Sequence, residues 1–319
     1  MRILDGEMRT ETGVDALSEG RAFVDLSRWR KVAVGGGDAG TWLGDLVSAD
    51  IRDLEPGRSR RSLLLSPTGG VRAEFTVAVR SDEILLLQDE QQTRSVETLL
   101  APYVLSSDVR LADRTDELSL LAFPAGSGEV LELSAPAAER AAPSCAGDGG
   151  GFDVIAPAGS HDELVAALSR SHEAVDVTAL DAWRVAAGIP RVAVESREGD
   201  LPDEIGLADA VAADKGCYLG QEAVAKARNL GHPRRVLVHV TAGEPIAAGD
   251  EVRSGELSVG IVTSAAAVGG GSVALARIRW DARDLPLTAS GVRLDRVRRP
   301  GQHPAAGYFP TLKNKYQIE

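Results

Sequence analysis

The chain has 319 residues, 44% of them hydrophobic and 26% charged, and a net charge of −12. That length exceeds one ordinary core and implies two or three domains, while the acidic balance excludes a broad electrostatic footprint for nucleic acid or an anionic membrane. Two cysteines, Cys145 and Cys217, exclude a disulfide framework and a cysteine-rich zinc site, so no metal is expected.

The opening residues carry acids where a signal peptide needs an apolar run, and no stretch of 18 apolar residues occurs. A cytoplasmic protein with reduced thiols is expected.

In chain order, residues 22–26 and 31–34 read as short strands. Gly35-Gly36-Gly37 breaks the pattern, and Asp38 is placed to cap a helix over Ala39–Val47, whose apolar Trp42, Leu43, Leu46 and Val47 follow the 3.6 period. The glycine run has neither the lysine of a phosphate loop nor the spacing of a dinucleotide fingerprint. Strands follow at 62–66, 71–79 and 84–87, the first two joined by the turn Pro67-Thr68-Gly69-Gly70 as an antiparallel hairpin. A helix is predicted over about 90–100, then strands near Val109, at 118–122 and at 130–133.

Residues 134–151, rich in Ala, Pro, Ser and Gly, form a loop or an inner boundary. Cys145 lies in it with no flanking base or cation to favour a thiolate, and reads as incidental. A strand at 152–155 precedes a helix to about Arg170 with Ser160 and Glu163 spaced as a capping box. A second helix covers about Thr178–Ala187, ended by Gly188 and Pro190. From Val236 onward five β-rich runs alternate with turns, a separate small β-barrel or sandwich. The division expected is 1–235, as two α/β subdomains, and 236–319.

Two arginine clusters interrupt the acidic trend, Arg58/Arg60/Arg61 and Arg228/Arg234/Arg235. Solvated surface arginine explains either one, and a small anion could also find a basic pocket there.

The chemically distinctive segment is Lys215-Gly216-Cys217-Tyr218-Leu219-Gly220-Gln221-Glu222. Glycines bracket the cysteine and allow tight backbone approach, and Lys215 is a cation two residues away, which favours thiolate. On spacing alone a buried structural cysteine is the favoured reading. With Asn229-Leu230-Gly231-His232-Pro233-Arg234-Arg235, this segment resembles the YgfZ family of folate-binding proteins, relatives of the aminomethyltransferase T-protein of the glycine cleavage system. Val24-Asp25-Leu26-Ser27, Arg184 with Gly188-Ile189-Pro190, and Leu201-Pro202-Asp203-Glu204 resemble the family more loosely, so the likeness runs over roughly 20–300.

The resemblance implies an α+β, T-protein-like fold: three domains in a trefoil around a central channel, with a C-terminal β-barrel. It implies tetrahydrofolate or a one-carbon derivative as cofactor, a role in iron–sulfur cluster assembly or repair, and indirect effects on tRNA modification. The partners it implies are small-molecule folate and iron–sulfur proteins or cluster-assembly factors. Asp153 and Arg184 would bind the pterin and its substituents, Glu74 and Tyr218 would flank the cofactor, and Cys217 would be the functional thiol, supported by Lys215. A carboxylate suits the pterin edge because it accepts two adjacent donors at once, and a guanidinium fork suits the folate carbonyl or carboxylates. Each has a bland alternative: a strand-edge aspartate facing water for Asp153, and a helical ion pair with Asp181 for Arg184.

The aminomethyltransferases carry Gly-Gly-x-x-Asp-Asp where this chain has Gly69-Gly70-Val71-Arg72-Ala73-Glu74. One acid is lost and the other lengthened, which counts against aminomethyl transfer because acid–base work depends on placement. A folate-dependent transferase and a non-catalytic scaffold stay open as alternatives.

Overall fold

The computed structural model describes residues 13–126, 137–147 and 150–298. Two five-stranded sheets and a closed six-stranded barrel form the frame. The first sheet has the order β10-β1-β7-β9-β8, with β1 (Ala22–Asp25), β7 (Leu118–Phe123), β8 (Glu139–Ala141), β9 (Phe152–Pro157) and β10 (Glu173–Val175). Only β1 and β10 run parallel; the other pairs are antiparallel. The second sheet has the order β3-β4-β5-β2-β6, from β2 (Arg30–Gly35), β3 (Ser59–Leu65), β4 (Val71–Val79), β5 (Ile84–Gln88) and β6 (Arg110–Asp113).

The period of two along these strands divides the interior. Val32 and Val34 join a core with Trp42 and Leu43 of α1 (Ala39–Gly44) and Leu99 and Leu100 of α2 (Val96–Leu100). Ala33, Ala78, Leu85 and Leu87 face the other way, into a core shared with the first sheet and with Ala179, Leu180 and Trp183 of α4 (Val177–Ala187). The far face of the first sheet is covered by Leu164 and Leu168 of α3 (His161–Leu168) over Phe23, Phe123 and Phe152.

The barrel is β11 (Arg235–Ala242), β12 (Glu251–Ser254), β13 (Leu257–Val268), β14 (Gly271–Arg279), β15 (Leu287–Ala289) and β16 (Val292–Arg298), closed in the order β11-β14-β13-β12-β15-β16. Val236, Val238, Val240, Ala274, Ala276 and Ile278 fill it. Its outer face docks on α4 through Ala266 and Val273 against Val185. Among the described residues, no helix is long and apolar enough to cross a membrane.

The α+β architecture with a C-terminal barrel is as expected; several local expectations are not met. The helix expected from 90 begins only at Val96, capped by the Ser95 side chain. Arg30 prevents an earlier start, its guanidinium donating to the main-chain carbonyls of Asp89, Glu90 and Gln92 and holding them as a loop. The helix from Ala39 stops at Gly44, and Asp38 spends its carboxylate on the Asp108 N–H instead of a cap. Ser160 forms no cap either: it ends a 3-10 turn, Ala158–Ser160, that runs into α3. The strand expected at 130–133 lies outside the described residues.

Candidate functional site

Cross-strand register builds the floor of a cleft. Arg61 on β3 stands opposite Thr76 on β4, and Thr76 opposite Leu87 on β5. Glu74 lies two residues from Thr76 and therefore on the same face. The walls are Asp89 and Gln92 after β5, Trp29 before β2, the 145–147 segment, and Arg184 to Arg191 around the end of α4. A left-handed Gly188 (φ +75°) terminates that helix and turns Ile189, Pro190 and Arg191 over the cleft.

Ion pairs fill much of this space. Arg61 Nε donates to Glu74 Oε1 at 2.6 Å, and Glu74 Oε2 accepts the Val192 N–H at 2.8 Å. Gln92 bonds both main-chain groups of Glu74. Arg191 Nε donates to Asp89 Oδ2 at 2.9 Å. The free volume left is about 40 Å³, room for water and well below the roughly 300–1,000 Å³ of ligand pockets.

Asp153 sits one layer behind this wall, completely buried on β9. It is no strand-edge residue facing water. Ser144 Oγ donates to Oδ1 at 2.6 Å and the Cys145 N–H to Oδ2 at 2.7 Å. Burial pushes the carboxyl up to about 6 against these two bonds. Cys145 is thus not incidental: it lines the cleft, covers Asp153, and its thiol is raised well above the usual range by burial and the neighbouring carboxylate.

Arg184 lines the cleft but spends its donors inside the fold. Nε bonds Asp181 at 2.6 Å, Nη1 bonds Glu195 at 3.3 Å, and Nη2 bonds Ser264 of the barrel at 2.9 Å. The expected ion pair with Asp181 is present. Glu195, on the short helix α5 (Val192–Glu195), is fully buried, so Arg184 ties α4, α5 and the barrel together. Trp183 packs in the core, as its position on the helix predicts.

The cysteine segment leads into α6 (Gln221–Leu230). Lys215 does not serve the thiol as expected. Its Nζ donates to the carbonyls of Gly44, Val47 and Ala49 at 2.7, 2.6 and 2.9 Å, which uses all three ammonium donors. Burial lowers its pKa to about 8. Tyr218 is not at the cleft: it is buried with Leu63, Leu65 and Val224. Gly220 is left-handed (φ +85°), and a Cβ there would lie 2.4 Å from the Ser66 carbonyl oxygen. Gln221 and the exposed Glu222 open α6, the acid placed favourably at its N-terminus. Gly216 and Cys217 are exposed, and Cys217 does not line the cleft.

Of the expected site residues, the cleft therefore gathers Glu74 and Arg184, with Asp153 behind its wall. It adds Arg61, Asp89, Gln92, Cys145 and Arg191. Arg191 follows Gly188-Ile189-Pro190 directly, a signal that could have marked it.

Two five-stranded sheets followed by a closed C-terminal barrel define the T-protein-like class of fold. The structure superposes on the glycine cleavage system aminomethyltransferase T of Bartonella henselae with a TM-score of 0.73 at 20% identity, covering 90% of this chain and 89% of that one. Residues 7–131 match the family described as GCVT N-terminal domain. A protein of Photobacterium profundum named tRNA-modifying protein YgfZ is 26% identical over 236 residues, 69% of this chain and 70% of that protein. A chloroplastic protein of Arabidopsis thaliana, named as a candidate transferase, is 22% identical over 275 residues, 80% of this chain. This chain spans 64% of that plant protein's length. The chain is thus similar to YgfZ-like and T-protein-like proteins, carries a match to the GCVT N-terminal domain over residues 7–131, and has the aminomethyltransferase T fold.

Proposed function

We propose that this chain binds tetrahydrofolate or a one-carbon derivative in the central cleft and presents Cys217 as a functional thiol in iron–sulfur cluster assembly or repair. The observation that carries the reading is the way the cysteine segment is built. Lys215 is clamped by three carbonyls, Tyr218 is buried and Gly220 abuts Ser66, while Cys217 between them is exposed. Free cysteines are usually buried. A segment anchored on both sides of an exposed thiol favours presentation to a partner.

The cleft suits a pterin in one specific way. Asp153 already accepts one donor on each carboxylate oxygen, Ser144 O–H and Cys145 N–H. A pterin edge offers the same side-by-side pair from its ring N–H and amine. In this reading the pterin takes their place, and the segment from Ser144 to Gly147 moves aside to enlarge the cleft. Arg61 and Arg191 line the cleft, paired with Glu74 and Asp89, and in this reading they exchange those partners for the folate carboxylates, the role expected of Arg184. A cluster or its client would be cargo at Cys217, and effects on tRNA modification would follow through iron–sulfur enzymes.

Glu74 is the one observation favouring a folate-dependent aminomethyltransferase, since it is an acid facing the cleft. It is held by Arg61 and by the Val192 N–H, which fixes it as an ion-pair partner.

Anaerobic calorimetric titration of tetrahydrofolate tests the cofactor. Micromolar binding, about −8 kcal/mol, is expected in the wild type and in Cys217→Ser, with at least tenfold loss in Asp153→Asn. Absence of binding to the wild type refutes the folate reading. In cells, Cys217→Ser is expected to lower iron–sulfur enzyme activity at unchanged protein level; full activity would reduce the segment to a structural role.

A further inference from the structure

We propose that the outer face of the barrel carries a second, separate site for a small phosphorylated molecule, built on Arg197, Arg235, Arg277 and Arg279. These four line an open basin of about 300 Å³ with Ser258 and Gly260. None of them lines the central cleft.

Strand register brings the arginines together. Arg235 on β11 pairs directly with Arg279 on β14, and Arg277, two residues from Arg279, projects to the same face. Arg197 comes from the segment after α5. Like charges directly opposite each other in a sheet are destabilising, and this chain is acidic overall, with a net charge of −12. Four converging guanidinium groups therefore run against both the local and the global electrostatic preference.

Carboxylates answer only part of that charge. Asp200 pairs with Arg277, Glu204 adds a longer-range negative charge to the same guanidinium, and Asp281 pairs with Arg279. Arg197 and Arg235 have no carboxylate partner among the described residues. The second, independent observation is Arg277 itself. Its side chain is 5% exposed, yet its Nε and Nη1 are buried without an acceptor among the described residues. Buried donors are normally satisfied, and leaving them unmade is costly. An oxyanion in the basin supplies the acceptors.

A phosphate monoester matches better than a carboxylate. Two guanidinium groups without a direct carboxylate pair favour a dianion, and the unpaired donors of Arg277 call for more acceptors than two oxygens can offer. The basin is several times larger than inorganic phosphate requires, so the remainder holds the organic part of the ligand. The net acidity of the chain selects a small molecule over a polymer of phosphates.

The test is calorimetric titration of the full chain with inorganic phosphate and with glycerol phosphate, against acetate at constant ionic strength. A second arm uses a fluorescent tRNA. The variants are the double Arg197→Ala/Arg235→Ala, at positions that are exposed and half-buried, and the single Arg277→Met. Both phosphates are expected to bind at least tenfold more tightly than acetate, glycerol phosphate the tighter. The double variant should lose at least tenfold of that affinity while its circular dichroism spectrum and tetrahydrofolate titration match the wild type. No response to phosphate, equal affinity for acetate, undiminished binding in the double variant, or binding to tRNA alone would each overturn the proposal. Because the tetrahydrofolate titration is read separately, failure here is distinguishable from failure of the cleft assignment.

Discussion

Gly220 lies against Ser66 so closely that a Cβ on it would stand 2.4 Å from the Ser66 carbonyl oxygen and 3.0 Å from the Leu65 Cβ. The clash is with backbone, which cannot rotate away, and the φ of +85° is itself unfavourable for a side chain. Gly220→Ala is expected to destabilise the chain by about 2–4 kcal/mol, read as a lower urea midpoint at unchanged slope. A change below about 0.5 kcal/mol would mean that the hairpin turn and the cysteine segment are not in contact in solution.

The two thiols are expected to separate cleanly under a disulfide reagent. Cys217 is exposed. Cys145 is only partly accessible, and burial beside Asp153 holds its thiol protonated at neutral pH. One thiol should react rapidly in the native protein and the second only in denaturant, with Cys217→Ser abolishing the fast phase. Two fast thiols would show that the segment covering Asp153 opens readily without a ligand.

Arg184 faces the cleft, but its loss should be felt in folding before binding. Removing it leaves Glu195 buried without its cationic partner, and breaking a buried pair this way costs about 3–5 kcal/mol. Arg184→Ala is therefore expected to unfold at much lower denaturant concentration. Glu195→Gln added to it should recover part of the loss, because the stranded charge is gone. Additive losses in the double variant would contradict the pairing.

The parts of this fold that local pattern determines were legible in the chain. Val71–Val79 alternates by period two and is bounded by the turn at Gly69-Gly70, and the observed strand has those limits. Gly188 marked the end of α4 for the same local reason. What local pattern cannot carry is a partner far away in sequence. Arg30 pins the carbonyls of Asp89, Glu90 and Gln92 from about sixty positions away and removes a helical turn that the composition favours. Lys215 looked like a thiolate supporter because Cys217 is two residues off, yet its donors are taken by carbonyls more than 160 positions earlier. Cys145 and Asp153 meet through a loop whose closure no periodicity announces. The family resemblance pointed to these regions; which side chains remain free there is set by tertiary contacts.

The buried carboxyl of Asp153 gives the fold a pH dependence of definite sign. Its pKa rises from an ordinary 3.8 to about 6 on folding, so the folded state holds the proton more tightly than the unfolded chain. Stability from this group is therefore greatest below about pH 4, falls as pH rises to about 6, and is level above that. At about 1.4 kcal/mol per pKa unit, the fall is about 3 kcal/mol. Paired carboxylates elsewhere slope the opposite way, so the observable is the difference between the wild type and Asp153→Asn. The variant, with no proton to lose, should gain on the wild type by about that amount between roughly pH 4 and 7, measured as the change in urea-unfolding free energy. Parallel curves would show that Asp153 ionises as an ordinary surface acid does, through an open 144–147 segment, and would move the pterin anchor from a site unmasked by the ligand to one already exposed.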